Sequence, residues 1–136
     1  MKQELEQQLL TAYPKIFSQP FGGFCVGDGW YHILEALCRR IQATIDNREE
    51  HILWLQKEGK AINIDPIEQV VVAQIKEKFG GLRFYYDGGN EEISGMVEMA
   101  ESWAYHTCET CGNRGKMRGN SWVYVACDEH TRKEDK

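Results

Sequence analysis

Residues 108–130 read CETCGNRGKMRGNSWVYVACDEH and contain three of the chain's five cysteines. The pattern is Cys-x2-Cys, then fifteen residues, then Cys-x2-His, at positions 108, 111, 127 and 130. Thiolates at this short spacing can both point into one small hollow, and the glycine that follows them, Gly112, lets the backbone turn so that its N–H groups face the sulfurs. The spacing therefore predicts a metal site around which residues 107–136 fold.

The residues between the two ligand pairs are typical of a β-hairpin. They combine turn-forming glycines with a strand-like run: Gly112, Gly115, Gly119 and SWVYVA at residues 121–126. A hairpin returns the chain to its starting point, which would bring Cys127 and His130 beside the first two cysteines. Because Cys127 and His130 are one helical turn apart, both can bind a metal from the first turn of a final short helix.

The ligand types favour zinc over other metals. Three thiolates and one imidazole would close a tetrahedral Zn2+ shell, with Zn–S near ~2.3 Å, and leave no position for water or substrate. Sulfur ligands disfavour Mg2+ and Ca2+, and a rubredoxin-like iron site would usually show four cysteines. We therefore predict a structural zinc ion bound by Cys108, Cys111, Cys127 and His130. His106 and Asp128 are the alternatives for the fourth ligand. A redox-active dithiol or cysteines unrelated to one another are the alternatives to a metal site.

The chain is expected to form one domain, with a body at residues 1–106 and a zinc-finger subdomain at 107–136. Its 136 residues suffice for one core, and its composition of 42% hydrophobic and 27% charged residues is ordinary for a globular protein. No segment approaches the ~18 apolar residues that cross a bilayer. The N-terminal MKQELEQQLL lacks the pattern of a secretory signal. We predict a cytoplasmic protein without membrane contact.

A cytoplasmic location bears on the cysteines, because clustered thiols in a reducing compartment bind metal more often than they form disulfides. Cys25 and Cys38 lie outside the cluster in apolar surroundings. We predict that both are small buried hydrophobic residues without chemistry.

The charge distribution argues against a generic polyanion binder. The net charge is −5, while residues 108–136 carry six basic and five acidic side chains. This asymmetry is too modest to hold DNA by itself.

Helical periodicity predicts two helices in the first half of the chain. Leucines at helical spacing indicate the first over residues 2–12, ending before Pro14. The second is a long amphipathic helix over residues 30–45, with Asp28 as its N-cap. Residues 51–60, HILWLQKEGK, predict an extension of it or a second short helix.

A further helix is predicted from Asn90 to about Tyr105. Asn90 is a favourable N-cap, and acidic residues in the first turn suit the positive end of a helix. The expected buried stripe consists of Ile93, Met96, Val97, Ala100 and Ala104. Gly95 lies inside this helix, which leads us to expect close packing there.

Residues 65–89, DPIEQVVVAQIKEKFGGLRFYYDGG, allow two interpretations. A capped start and apolar residues every four positions favour a helix over residues 66–79. Three consecutive valines, the LRFYY run and a Gly80-Gly81 turn favour a β-hairpin, which we prefer. In that register Phe79 pairs with Leu82, and one face is mostly apolar: Val71, Ala73, Ile75, Phe79, Leu82, Phe84 and Tyr86.

The opposite face of this hairpin would carry Lys76, Lys78 and Arg83 together with Tyr85. Basic side chains beside an aromatic ring can contact phosphates or an acidic partner. A solvated sheet face explains the same pattern equally well. The fold class predicted from all these elements is α+β: helices, a small antiparallel hairpin and a C-terminal zinc finger.

The order knuckle, hairpin, helix in residues 108–136 resembles a treble-clef zinc finger. Three segments together resemble a family of small, largely uncharacterised bacteriophage and prophage proteins: GDGW at 27–30, QIKEKFGGLRFYYDGG at 74–89 and CETCG…W…CDEH at 108–130. The resemblance covers most of the chain and supports the four zinc ligands. It implies a phage-encoded protein working in a bacterial cytoplasm, and it carries no established activity.

The sequence lacks the catalytic motifs that small zinc enzymes would require. The deaminase signature needs a glutamate two residues after a histidine, and His106-Thr107-Cys108 does not supply one. Metalloprotease, P-loop and serine-hydrolase motifs are also missing from the sequence. We expect a protein that is not an enzyme and has no evident small-molecule substrate.

Two kinds of function remain. The first is binding of a host or phage protein, for example as an inhibitor of a host factor or of a defence protein, with tryptophan and tyrosine side chains as anchors. The second is nucleic-acid binding through Arg114, Lys116 and Arg118, joined by the basic hairpin face. Net acidity favours the first.

Overall fold

The computed structural model describes residues 1–136 and has the predicted mixed α+β architecture. The helices are α1 (Gln3–Ala12), α2 (Tyr31–Lys57) and α3 (Glu91–Ala104), and the strands are β1 (Phe24–Cys25), β2 (Glu68–Lys78), β3 (Gly81–Gly89), β4 (Lys116–Arg118) and β5 (Tyr124–Ala126). Short 3-10 turns cover Asp28–Trp30, Asp128–His130 and Lys133–Asp135.

The strands form two separate sheets. The first has the order β1-β2-β3, with β1 parallel to β2 and β2 antiparallel to β3. The second is the β4-β5 hairpin, which lies between the two pairs of metal-ligand candidates. The arrangement places a helix-covered sheet in the body and a small hairpin in the C-terminal segment.

The hydrophobic core lies between the helices and one face of the first sheet. One cluster of 19 buried residues spans α1, α2, α3 and the sheet, and Trp30 is its largest fully buried side chain. A second cluster contains only Cys108, Ala126 and Cys127. The C-terminal segment therefore has almost no apolar core of its own.

The hairpin interpretation of residues 65–89 is confirmed, and the helical alternative is wrong. The predicted register is incorrect, however, because the two-residue turn is Phe79-Gly80 and Lys78 pairs with Gly81. An irregularity between Val72 and Gln74 then reverses the alternation of the first half of β2. The buried side chains of the hairpin are Val70, Val72, Ile75, Leu82 and Phe84, whereas Val71, Ala73 and Phe79 do not belong to the buried face.

Most predicted helix boundaries are confirmed, whereas the predicted roles of Asp28 and Gly95 are wrong. Asn90 caps α3 by accepting a hydrogen bond from the Ile93 N–H at 3.1 Å, and α2 continues without interruption to Lys57. Asp28 does not cap α2, since its carboxylate accepts the backbone N–H of Lys2 at 2.7 Å. A Cβ on Gly95 would meet no atom within 4 Å, so the expected close packing there is wrong. None of the helices combines the length and apolar content needed to cross a membrane.

The turn at Phe79 predicts a stabilising substitution. Phe79 has φ of +53° and Gly80 has φ of +83°, which is the type I′ geometry that favours Asn-Gly, and the Phe79 side chain is 73% exposed. We expect Phe79→Asn to raise the free energy of unfolding by about 1 kcal/mol, because asparagine tolerates positive φ and little packing is lost. Urea denaturation measures the change. Phe79→Ala is the control, because it removes the ring and keeps the strain; an equal gain in both variants would refute the conformational explanation.

Candidate metal centre

Four side chains converge at the C-terminal end of the fold. They are the predicted Cys108, Cys111, Cys127 and His130, and one ligand atom from each lies within 4.8 Å of all the others. Cys108 and Cys127 are buried, whereas Cys111 and His130 are exposed at the rim. Together these residues could hold one metal ion.

The distances between ligand atoms fit a tetrahedral shell. Cys111 Sγ lies 3.7 Å from Cys127 Sγ, and His130 Nδ1 lies 3.8 Å from Cys108 Sγ and 3.2 Å from Cys127 Sγ. Tetrahedral zinc with Zn–S of ~2.3 Å and Zn–N of ~2.05 Å requires S···S near ~3.8 Å and S···N near ~3.6 Å. The donor atoms therefore enclose a space of the right size for such an ion, with Nδ1 as the imidazole ligand.

The first ligand pair is positioned by a tight knuckle. The Gly112 N–H donates to the Cys108 carbonyl at 2.9 Å, and Gly112 adopts φ of +83°, which favours glycine. The Cys108 N–H donates to the Asn113 carbonyl at 2.8 Å, which closes the loop. The second pair follows β5, where the 3-10 turn Asp128–His130 is shorter than the helix we predicted.

Backbone N–H groups prepare the Cys108 sulfur for a cation. Burial raises the pKa of the Cys108 thiol, but hydrogen bonds from the backbone of Cys127, Cys111 and Thr110 outweigh it and lower the pKa to about 6. At Cys111 the backbone N–H of Asn113 lowers the pKa, while desolvation and the neighbouring thiols raise it. The net result is a raised pKa for Cys111. Ionisation of one thiol thus disfavours ionisation of its neighbours, and a bound cation would remove this repulsion between thiolates.

The alternative ligands are not part of the cluster. His106 is outside the group of convergent donors, and Asp128 binds Arg118 Nη2 through its carboxylate at 2.7 Å. The remaining cysteines are separate from it as well. Cys38 is buried as predicted, with its pKa raised to about 12 by burial, whereas Cys25 is exposed, contrary to our prediction.

The knuckle is joined to the body by the segment Gly27–Trp30. The Gly29 N–H donates to the Glu109 carbonyl at 2.7 Å, and the Gly27 N–H donates to the Glu109 carboxylate at 2.8 Å. The Trp30 indole Nε1–H donates to the Thr107 carbonyl at 2.9 Å in a fully buried position. We call this set of three hydrogen bonds the knuckle dock.

The glycines of the knuckle dock are required by close backbone approach. A Cβ on Gly29 would overlap the Cys108 carbonyl oxygen, and a Cβ on Gly27 would overlap that of Glu109. Sequence reasoning missed this contact. The available signal was the GDGW sequence itself, in which two glycines flank an acid immediately before a tryptophan.

The basic hairpin face forms as predicted, but one of its cations is already engaged. Lys76 and Arg83 are directly opposite each other, on the face that also carries Lys78 and Tyr85. Lys76 Nζ lies 5.9 Å from the centre of the Tyr85 ring. Arg83 donates to the Tyr105 hydroxyl at 3.4 Å, and this hydrogen bond is the main reason that the pKa of Arg83 is raised.

The second basic group surrounds an open cavity of about 510 Å3 beside the knuckle. Arg114, Lys116 and Arg118 line it together with His106, Asp128 and Glu129. The Arg118 guanidinium is already bound within the chain, because Nε donates to the Ala126 carbonyl at 3.0 Å and Nη2 pairs with Asp128. Arg114 and Lys116 are exposed. Only two of the three predicted cations are therefore free to contact a ligand.

An apolar groove between α2 and α3 is a surface that the sequence analysis did not predict. Its lining residues are His32, Ile33, Ala36, Leu37, Arg40, Met96, Met99, Ala100 and Trp103. We assigned Met96 and Ala100 to a buried stripe. Met99 and Trp103, three and seven residues after Met96, extend that stripe into solvent, and this spacing was the signal available in the sequence.

The knuckle dock predicts opposite effects for two glycine substitutions. Gly29→Ala should lower the free energy of unfolding by about 2 kcal/mol or more, because the new methyl group overlaps backbone that cannot move freely. Gly95→Ala, the matched control, should raise it by up to about 1 kcal/mol, because alanine favours a helix and the site is open. Urea denaturation at a fixed zinc concentration measures both. A Gly29→Ala protein as stable as the wild type would contradict the close approach.

Comparison of the chain with protein-family models, with curated proteins and with solved structures finds no match. The chemistry of the site is therefore inferred from the four convergent side chains, which together could hold a metal ion.

Proposed function

We propose that the chain binds one structural zinc ion and acts as a protein-binding module. The observation that supports the zinc assignment is the fit between the S···S and S···N distances in the structure and a Cys3His tetrahedron. Sulfur donors favour zinc over hard cations, and the imidazole favours it over a four-cysteine iron site.

A structural role follows from what the ion would connect. It would join the knuckle at Cys108 and Cys111 to the turn at Cys127 and His130, across a segment whose buried apolar cluster has only three residues. Segments with so little core usually need a metal or a disulfide to fold. The knuckle dock extends this support to the start of α2. Four protein ligands also leave no open coordination position, which supports a role other than catalysis.

Exposed aromatic side chains support binding of a protein. Three of the four tryptophans are exposed: Trp54 at 47%, Trp103 at 61% and Trp122 at 72%. Tryptophan is enriched at the energetically dominant positions of protein interfaces. The resemblance to phage proteins suggests a host or phage protein in a bacterial cytoplasm as the partner, which stays a prediction.

Nucleic-acid binding is the second candidate, favoured by the cavity next to Arg114 and Lys116. Against it, Arg118 and Arg83 are already hydrogen-bonded within the fold. The free cations of the two basic groups are then Lys76, Lys78, Arg114 and Lys116, in a chain of net charge −5.

Zinc content tests the first half of the proposal. Tag-free protein purified near neutral pH should contain one zinc ion per chain by elemental analysis. Cys108→Ser/Cys111→Ser should lose the ion and unfold residues 107–136, as measured by amide hydrogen exchange. Cys25→Ser is the matched control and should keep the ion, since Cys25 lies outside the cluster. A wild-type protein without stoichiometric metal would overturn the assignment.

The pH dependence of zinc release follows from the same site. Zinc binds thiolates, so protons compete with it for the sulfurs; hydrogen bonds lower the pKa of Cys108 to about 6, while the pKa of Cys111 is raised. Below about pH 6 protonation should favour release, whereas raising the pH above neutral should not. Titration with a chromogenic zinc chelator measures this. Release that does not depend on pH would contradict thiolate ligation.

Salt dependence separates the two kinds of partner. A nucleic acid bound by about four lysine and arginine contacts should lose roughly 100-fold in affinity between about 50 and 200 mM salt. In affinity capture from bacterial lysate, we expect a partner protein to stay bound to the chain at salt concentrations between about 50 and 200 mM. Nuclease treatment should also leave it bound. Arg114→Glu/Lys116→Glu should change the capture little. Loss of all bound material on nuclease treatment would favour the nucleic-acid alternative.

A further inference from the structure

The groove between α2 and α3 exposes large apolar side chains. Met99 is 68% exposed and Trp103 is 61% exposed, one turn apart on the same face of α3. The opposite wall is formed by α2 through Ile33, Ala36 and Leu37. The groove has a volume of about 440 Å3, and seven of its nine lining residues are hydrophobic. Contiguous apolar surfaces of this kind mark binding sites more often than isolated exposed residues do.

The terminal segments of the described chain are held elsewhere and do not cover the groove. The Met1 amino group donates to the Val26 carbonyl at 2.8 Å. At the other end, the Tyr124 hydroxyl accepts the Arg132 N–H at 2.9 Å and donates to Asp135 at 2.7 Å. An occupant within one copy would therefore have to break these contacts.

The length of the groove suits a short helix. The start of α2 lies beside the end of α3, because the Trp30 indole reaches the Thr107 carbonyl, so the two walls run in opposite directions. From His32 to Arg40 the α2 wall is about 12 Å long at ~1.5 Å per residue. This length matches two turns of a ligand helix whose apolar residues recur at i, i+3 or i+4 and i+7. Flexible methionines adapt to such a helix.

The charges at the groove define the ligand further. Its only ionisable lining residues are His32 and Arg40, so no carboxylate lines it. Arg40 is exposed and has no carboxylate oxygen within 4.0 Å, whereas its neighbour Arg39 pairs with Glu35 at 3.5 Å. Glu92 lies one turn before Met96 on α3 but is outside the lining. An apolar helix with an acidic residue at its edge would complete the pairing of Arg40.

We propose that the groove binds an amphipathic helix of a partner protein, with apolar side chains between Met99 and Trp103 and an acidic side chain at Arg40. This inference rests on the proposed function in that it identifies the surface through which a protein partner binds. The metal centre is a separate part of the fold and has no lining residue in common with the groove.

Capture of partners by groove variants tests the surface. Trp103→Glu and Met99→Glu should each remove the protein captured from bacterial lysate, and both should fold because these side chains are exposed. Trp122→Glu is the matched control: an equally exposed tryptophan outside the groove, which should retain the partner. Zinc content and thermal unfolding verify each fold. Retention by both groove variants would overturn the inference and leave protein binding intact.

Defined peptides test the class of ligand without any lysate. The probe is a pool of 18-residue peptides with leucine at i, i+4 and i+7, flanked by glutamate, and a second pool has lysine in place of glutamate. With 15N-labelled protein, we expect the glutamate pool to shift the Trp103 indole signal and leave that of Trp122 unchanged. Arg40→Glu should weaken this binding at least tenfold, whereas Lys57→Glu, on the same helix outside the groove, should not.

The remaining outcomes decide for or against the inference. Equal shifts with both peptide pools, or none, would refute recognition of an acidic helix. A dimer of wild-type protein that Trp103→Glu converts to monomer, measured by light scattering, would assign the groove to a second copy of the chain. If lysate yields no protein while the glutamate peptides bind through Arg40, the groove assignment stands and the proposal of a bacterial protein partner fails.

Discussion

Three hydrogen bonds between Gly27–Trp30 and residues 107–109 join the start of α2 to the C-terminal segment. They satisfy the indole and backbone donors of a segment in which Trp30 is fully buried, and a buried donor left without a partner costs about 1–3 kcal/mol. Because the acceptors belong to the knuckle that carries Cys108, the position of the first metal ligand depends on the start of α2. The body and the C-terminal segment are thus held together by these hydrogen bonds.

A metal ion at the four convergent side chains and the knuckle dock would support each other. A cation on four ligands would bring the two halves of the C-terminal segment together, and the knuckle dock orients the result against the body. The small buried cluster of Cys108, Ala126 and Cys127 could not do this through apolar burial, which contributes only about 25 cal/mol per Å2. A metal ion held by these four side chains would therefore take the place of a core, as small domains commonly require.

The surfaces divide along the same line. Near the candidate metal site, one arginine is used within the fold: Arg118 binds Asp128 and the Ala126 carbonyl. Away from this site, α2 and α3 leave Met99 and Trp103 largely exposed and Arg40 without a carboxylate partner. The contrast between a basic site in which Arg118 is already paired and a groove that exposes apolar side chains is the reason that we propose protein binding rather than nucleic-acid binding.

The sequence by itself determined the four candidate ligands and the three helices, since spacing and capping are local properties. Asn90 shows this well, because its cap depends on the next three residues alone. For residues 65–89 the sequence favoured the β2–β3 hairpin and left a helix open. Tertiary structure decided the rest. The irregularity in β2 after Val72 changed which side chains face the core. The Asp28 carboxylate accepts a hydrogen bond from the Lys2 N–H instead of capping α2. The hydrogen bond between Gly29 and Glu109 joins positions about eighty residues apart. Such contacts depend on which surfaces meet, and no local pattern encodes that.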